Sequence, residues 1–160
     1  MPGARLWCLV ALVALTGCGF HLEGSAPLPS QVKQPYLEAA DRQSDFVQSL
    51  RRSLLSNGAH LQQNKANSSA VVSILRDNFT KRVLSVSANN QPNEYEITYT
   101  VRVSVTAGDK ELLAPQDVVA TRTYSFSEPL LLAKGHEEDS LREDMANDLA
   151  DRVMRLLSRL

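Results

Sequence analysis

The sequence predicts an α+β fold: a two-layer sandwich in which a mixed, mostly antiparallel four-stranded sheet carries two helices packed on one face. Three observations predict it. Apolar residues recur at helical spacing in two separate segments. Another segment alternates strictly between apolar and polar residues, as a strand with one buried face does. The predicted order of strand, helix, three strands and helix suits helices that lie on one face of an antiparallel-rich sheet.

The first strand and the first helix are predicted between residues 32 and 58. The strand is expected at Val32–Leu37, and Pro35 places it at a sheet edge or a strand start because proline cannot donate a ladder hydrogen bond. The helix begins after Ser44, a suitable N-cap, and ends at Asn57-Gly58. Its apolar side chains recur on one side: Phe46, Val47, Leu50 and Leu54.

Three further strands are predicted between residues 71 and 126. The first, residues 71–88, changes the phase of its alternation, as expected when bulges bend a long strand. After a turn at residues 89–93, the next strand alternates cleanly, and its apolar residues are Tyr95, Ile97, Tyr99, Val101, Val103 and Val105. Residues 107–110 and a short loop precede the last strand, whose apolar residues are Val118, Ala120, Tyr124 and Phe126.

The second helix is predicted to close the chain. Its apolar residues step by three or four: Leu141, Met145, Leu149, Val153, Leu156 and Leu160. With Ala146 and Ala150, this stripe is wide enough to lie on a sheet. Acidic residues 137–139 are expected at the helix start and arginines near its end, the order of charge that the helix dipole favours.

The chain divides into three expected segments: a lipoprotein signal peptide at residues 1–17, a lipidated tether at 18–30 and a single α/β sandwich domain at 31–160. The apolar run after Arg5 is about ten residues long, roughly half of what a transmembrane helix needs. Without Arg5, 16 basic residues face 18 acidic ones. A surplus of Lys and Arg is required to neutralise phosphates, so nucleic acid is not an expected partner.

Cys18 is the predicted site of covalent lipid attachment. Leu15-Thr16-Gly17-Cys18 resembles the lipobox of bacterial lipoproteins, where the peptidase cuts before an acylated cysteine. The alternative is a buried or disulfide-bonded cysteine, but Cys8 leaves with the signal peptide and Cys18 then has no partner in the chain. Gly19, rather than Asp, favours the outer membrane by resemblance to Gram-negative lipoprotein sorting. No other cofactor is expected.

The residues provide no catalytic or metal-binding pattern, so the protein is not expected to be an enzyme. The three histidines of the mature chain, His21, His60 and His136, have no ligand spacing, and no phosphate loop or nucleophile elbow is present. Glu137 and Glu138 could be imagined as an acid and base pair. Neighbours on a helix do not face each other, however, and stabilisation of the helix dipole is the favoured interpretation.

Two features suggest binding. The polar sheet face is either a solvated surface or a surface for a hydrated wall, such as the lumen of an outer-membrane barrel. Basic residues Lys81 and Arg82 lie in the bent strand, and Lys134 follows the apolar segment 129–133, which is expected in a loop. An apolar loop beside a cation suits an amphiphile with an anionic head, although such a loop can also pack under the sheet as part of the core.

The order and spacing of four segments resemble the LptE family of lipopolysaccharide-assembly lipoproteins. These segments are residues 15–22, Leu54–Gly58, Asn93–Tyr95 and Glu128–Lys134. The resemblance implies a lipid-anchored outer-membrane protein that forms a plug inside the β-barrel LptD and assists delivery of lipopolysaccharide to the cell surface. It also implies that the domain, in the barrel lumen or facing the periplasm, binds lipopolysaccharide itself.

The resemblance also assigns candidate contacts with the phosphates of lipid A. Lys134 matches the basic position after the family's apolar loop, whereas the family's basic position near the turn is occupied here by Ala88. Lys81 or Arg82 could substitute if the bend of the strand brings them to the same end. Two alternatives remain: a structural barrel scaffold without its own ligand, and an auxiliary periplasmic lipoprotein of an inner-membrane lipid transporter.

Overall fold

The computed structural model describes the backbone of residues 28–125 and 131–160, and the side chains of residues 28–125 and 138–160. Cys18, the predicted signal peptide and most of the predicted tether lie outside the described residues. The elements are β1 Pro35–Ala39, α1 Asp45–Ser56, β2 Ala70–Val86, β3 Pro92–Ala107, β4 Lys110–Ser125 and α2 Leu131–Leu157. Short 3-10 turns occupy Ser30–Val32 and Lys65–Asn67.

The four strands form one mixed sheet in the order β1-β2-β3-β4. β1 pairs with β2 in parallel, and the β2–β3 and β3–β4 pairs are antiparallel. The helices pack against each other and contribute to one core with the sheet. The predicted α+β sandwich is therefore confirmed.

The alternation of β3 separates the two faces of the sheet. Five of its six predicted apolar side chains are buried in the core, and Tyr95 is half-buried. The buried five are Ile97, Tyr99, Val101, Val103 and Val105. The intervening Thr98, Thr100 and Arg102 are only half-buried and lie on the opposite face. We call this second surface, which faces away from the helices, the polar face. A strand with one face on a core and one toward solvent accounts for this pattern.

α1 has the predicted boundaries. The Ser44 hydroxyl accepts a hydrogen bond from the backbone N–H of Val47 at 3.2 Å and donates to the Asp77 carboxylate at 2.5 Å. The Tyr99 hydroxyl accepts from the backbone N–H of Phe46 at 3.3 Å. Burial, together with the charge of Asp77, raises the pKa of Tyr99, which stays neutral. The first turn of α1 is thus fixed to β2 and β3 by side chains that satisfy its free N–H groups.

β2 is bent by bulges, as its broken alternation predicted. The pairing with β3 shifts between Ile74 and Arg76 and again between Val83 and Ser85. The β2–β3 turn follows, with Asn90 in the left-handed region at φ 58°. Asparagine adopts that conformation more readily than most other residues with a side chain. This preference explains why the asparagine-rich segment forms the turn.

Three boundaries differ from the expectation. β1 begins at Pro35, and Val32 belongs to a 3-10 turn instead. β4 begins at Lys110, so the short loop expected before Val118 is strand. Pro115 is accommodated because β4 is an edge strand and its register with β3 shifts there, between Val103 and Val105.

The third difference concerns α2, which begins at Leu131 rather than at the acidic residues 137–139. Residues 131–133 of the apolar segment were expected in a loop and are helical instead. Residues 129–130 lie outside the described residues. Glu138 and Asp139 lie in the third turn, too far along the helix to stabilise its N-terminus. The dipole interpretation was wrong for these residues.

Candidate functional site

Lys81 and Arg82, two of the three predicted lipid A contacts, lie on opposite faces of the sheet. Lys81 pairs with Ile97 and therefore shares the core side of β2, whereas Arg82 pairs with Glu96 on the polar face. Successive side chains of a strand point to opposite faces, so their adjacency in sequence separates them in space. The structure does not bring these two cations together.

Lys81 lies in a cluster at the end of the sheet that holds the β2–β3 turn, which we call the hairpin end. Its Nζ is 2.6 Å from the Glu138 carboxylate on α2. It also lies 4.4 Å from the ring centroid of Tyr95 and 5.4 Å from that of Tyr124. The two rings are stacked with centroids 5.5 Å apart. An ammonium group at these distances is attracted by the ring faces as well as by the carboxylate.

Lys81 and Glu138 each stabilise the charged form of the other. The hydrogen bond from Lys81 lowers the pKa of Glu138, despite partial burial of the carboxyl. Partial burial acts to lower the pKa of Lys81, but the bonds to Glu138 and Tyr124 outweigh it, and this pKa is raised. The ion pair therefore stabilises the fold across neutral pH. Its contribution is lost as pH falls through the lowered pKa of Glu138 or rises through the raised pKa of Lys81.

Arg82 forms a separate ion pair on the polar face. Its Nε is 2.6 Å from Glu96 Oε1, and 70% of the arginine side chain is exposed. The hydrogen bond with Arg82 lowers the pKa of Glu96. Solvent screens such an exposed pair, so it contributes little to stability.

Lys134 lies in the first turns of α2, four residues before Glu138. Residues spaced by four share one side of a helix, so its backbone position is one turn from the cluster. Its side chain lies outside the described residues. Ala88 is exposed in the β2–β3 turn, and residues 87–91 of that turn include no basic side chain.

The hairpin end also exposes apolar side chains. Val83, Leu84 and Val86 each keep about half of their surface accessible, at 48%, 47% and 57%. They follow the two cations directly along β2. Cationic and apolar groups thus adjoin at this end, the combination that an anionic amphiphile requires.

Sequence reasoning missed Tyr95, Tyr124 and Glu138 as site residues. Tyr95 and Tyr124 pair directly across the β3–β4 hairpin. Knowledge of that strand register would have placed the two tyrosines side by side. The contact between Lys81 and Glu138 joins residues 57 positions apart and leaves no local pattern.

A cleft lies between β1 and α1, away from the predicted site residues. This cleft has a volume of about 370 Å³, and its lining includes Tyr36, Leu37, Arg42, Val47, Arg51 and Leu61. Among the described residues, no group of three or more acidic, His or Cys side chains could hold a metal ion. No helix in the described part of the chain is long and apolar enough to cross a membrane.

The small two-layer fold and a site made of cations, carboxylates and aromatic rings define a class of binding or assembly domains. Residues 32–157 match the model of the LptE family, described as lipopolysaccharide-assembly. The chain belongs to the LptE family, which is a family of lipopolysaccharide-assembly lipoproteins and not a class of enzymes.

Individual relatives agree with this assignment. The LPS-assembly lipoprotein LptE of Pectobacterium atrosepticum is 28% identical over 158 residues, which cover 96% of this chain and 85% of that protein. The solution structure of lipoprotein B from Nitrosomonas europaea is similar with a TM-score of 0.72 and 28% identity, over 88% of this chain and 90% of that one. Rare lipoprotein B from Shewanella oneidensis gives a TM-score of 0.69 and 25% identity, over 79% and 94%.

Proposed function

We propose that the protein is anchored to the outer membrane by lipid on Cys18, binds lipopolysaccharide and forms the plug of an LptD-like β-barrel. In this role it assists assembly of the barrel and insertion of lipopolysaccharide into the outer leaflet. Family membership supports a role in lipopolysaccharide assembly, since the relatives are named for that process. The proposal assigns no catalytic step to the protein.

The polar face is the observation that carries the plug role. Its hydroxyl and charged side chains extend over three strands: Thr80, Arg82, Glu96, Thr98, Thr100, Arg102, Asp117, Thr121 and Thr123. The lumen of an outer-membrane barrel is polar and hydrated, and such surfaces meet through direct and water-mediated hydrogen bonds. Val119, which pairs with Thr100 and is 42% exposed, is an apolar side chain on the same face. Because hydroxyl and charged groups predominate on this face, that wall can enclose it with little unpaired apolar surface buried.

A bulky residue in the middle of the polar face is expected to weaken the barrel contact. We predict that Thr100→Trp in a tagged full-length protein lowers recovery of the co-purifying barrel by roughly tenfold, equivalent to about 1.4 kcal/mol. Tryptophan suits a strand, so the fold should be retained. Affinity purification from solubilised membranes, followed by mass spectrometry, measures this.

Asp151→Trp is the matched control, because Asp151 is exposed on α2 and not on the polar face. Equal recovery from both variants contradicts the proposed docking face. Co-purification of an inner-membrane transporter instead of a barrel would favour the alternative of an auxiliary periplasmic lipoprotein.

Lipopolysaccharide binding is proposed at the hairpin end, where Lys134 is the candidate phosphate contact. We predict that Lys134→Ala lowers the affinity of the purified full-length protein for lipopolysaccharide by about tenfold, since a hydrogen bond between charged groups is lost. Lys110→Ala, at the opposite end of the sheet, should have no effect. Unchanged binding by Lys134→Ala removes this residue from the site, and absence of binding by the parent protein favours a scaffold without a ligand.

A further inference from the structure

We propose that Lys81, Tyr95 and Tyr124 form a site for a phosphorylated sugar headgroup, and that Glu138 occupies this site in place of the phosphate. The inference rests on the proposed lipopolysaccharide binding and names the part of the ligand that this cluster takes. It adds a residue, Glu138, whose role is to close the site and set its affinity.

The geometry of the cluster suits a phosphorylated sugar. About a third of the Lys81 side chain and slightly less of the Glu138 side chain are exposed, at 33% and 28%, so the ammonium group can be reached from solvent. An ammonium has three donors and can bind a phosphate as it binds a carboxylate. The stacked rings of Tyr95 and Tyr124 lie directly beside it at an interplanar angle of 21°. Their apolar surfaces provide contact area for the C–H face of a sugar ring.

Phosphate and Glu138 compete for Lys81. A phosphate monoester carries about −1.5 to −2 charges and three acceptor oxygens, whereas the carboxylate carries one charge. The two anions repel each other, so the ligand replaces Glu138 instead of joining it. The Tyr124 hydroxyl, 3.4 Å from the same carboxylate oxygen, becomes available to the incoming phosphate as a second donor.

Arg142 provides a second partner for Glu138 once it leaves Lys81. It stands one turn further along α2, and its Nε is buried without a hydrogen-bond acceptor among the described residues. This Nε is 4.0 Å from Asp45 Oδ2, and the guanidinium lies over the Phe79 ring. A Glu and an Arg four residues apart on a helix attract each other. When the Glu138 carboxylate moves from Lys81 to Arg142, it can accept a hydrogen bond from the buried Nε of Arg142. The carboxylate also remains paired with a cation.

This exchange removes one link between α2 and the sheet. Glu138 is on α2 and Lys81 is on β2, so their ion pair joins the two elements at the hairpin end. The contacts of Arg142 with Asp45 and Phe79 keep the next turn in place.

The Arg82–Glu96 pair offers a matched control on the same strand. Its N···O distance is also 2.6 Å, but it lies on the polar face and no aromatic ring contacts the arginine among the described residues. Glu138→Gln and Glu96→Gln each remove one negative charge and one ion pair. An effect of net charge alone would be equal in the two variants.

The test measures lipid A binding by the full-length lipidated protein in detergent micelles, using isothermal titration calorimetry. Glu138→Gln should raise the affinity for lipid A about three- to tenfold, because the competitor at a partly exposed cation is removed. Glu96→Gln should stay within about twofold of the parent. Lys81→Ala should lower the affinity and abolish the gain when combined with Glu138→Gln. Thermal unfolding of each variant verifies that the fold is retained.

The outcomes separate this inference from the proposed function. An equal response of Glu138→Gln and Glu96→Gln, or a gain that persists without Lys81, overturns the closed site while leaving lipopolysaccharide binding intact. Absence of lipid A binding by the parent and by every variant overturns both. Glucosamine 1-phosphate and inorganic phosphate serve as further probes: a gain with the sugar phosphate shows that the headgroup suffices, and an equal gain with inorganic phosphate contradicts a role for the tyrosine rings.

Discussion

Phe46→Ala is expected to lower the free energy of unfolding by about 3–5 kcal/mol, a large part of the total stability of a domain of this size. Phe46 is fully buried in the first turn of α1 and is among the largest side chains of the core. Its removal forfeits the transfer of the ring from water and leaves a cavity that the sheet beneath cannot fill, because neighbouring side chains are held in place by their own packing. Urea denaturation followed by circular dichroism measures the loss.

Leu55→Ala provides the control on the same helix. Leu55 keeps 50% of its surface exposed, and its truncation should change the free energy of unfolding by no more than about 0.5 kcal/mol. Similar losses from both variants would show that α1 is not packed through the side that includes Phe46. The denaturant dependence should remain unchanged, since neither substitution alters the surface exposed on unfolding by much.

Cys18→Ala is expected to abolish lipid attachment. Only the thiol provides the nucleophile for thioether formation, and acyl chains on the proposed anchor would hold the protein by about 0.8 kcal/mol for each buried methylene. Two or more chains make this attachment lasting. Incorporation of labelled palmitate should fall to background in Cys18→Ala, and the fraction of protein that stays with carbonate-washed membranes should fall with it.

Cys8→Ala is the corresponding control, because Cys8 lies within the predicted signal peptide and should leave with it. Labelling of this variant should equal that of the parent. Palmitate label that remains on Cys18→Ala would mean that another residue is acylated, and the boundary predicted at residues 17 and 18 would then be wrong.

Much of the fold could be predicted from local patterns. Ser44 and Asn57-Gly58 mark the limits of α1 because capping depends on residues adjacent in sequence. The alternation of β3 predicted which side chains are buried, since one face of the strand must leave water. The phase changes in β2 likewise predicted its bulges.

The errors arose where a local pattern had two structural solutions. Acidic residues at 137–139 are typical of a helix start, yet α2 begins at Leu131 and Glu138 instead pairs with Lys81. Pro115 is typical of a loop, yet an edge strand with a register shift accommodates it. In both cases the local pattern fits two structures, and the sequence alone does not decide between them.

The candidate site was predicted in its chemistry but not in its arrangement. Lys81 and Arg82 were grouped because they are neighbours in sequence, and the pleat of β2 places them on opposite faces. The sequence by itself determined a two-faced sheet with two amphipathic helices, because solvent imposes periodic patterns along each element. The cysteine at the end of an export signal stays a prediction. Only the tertiary structure decided that Lys81 pairs with Glu138 beside two stacked tyrosines. An ion pair between distant segments depends on how the helix packs on the sheet and leaves no periodic pattern in the chain.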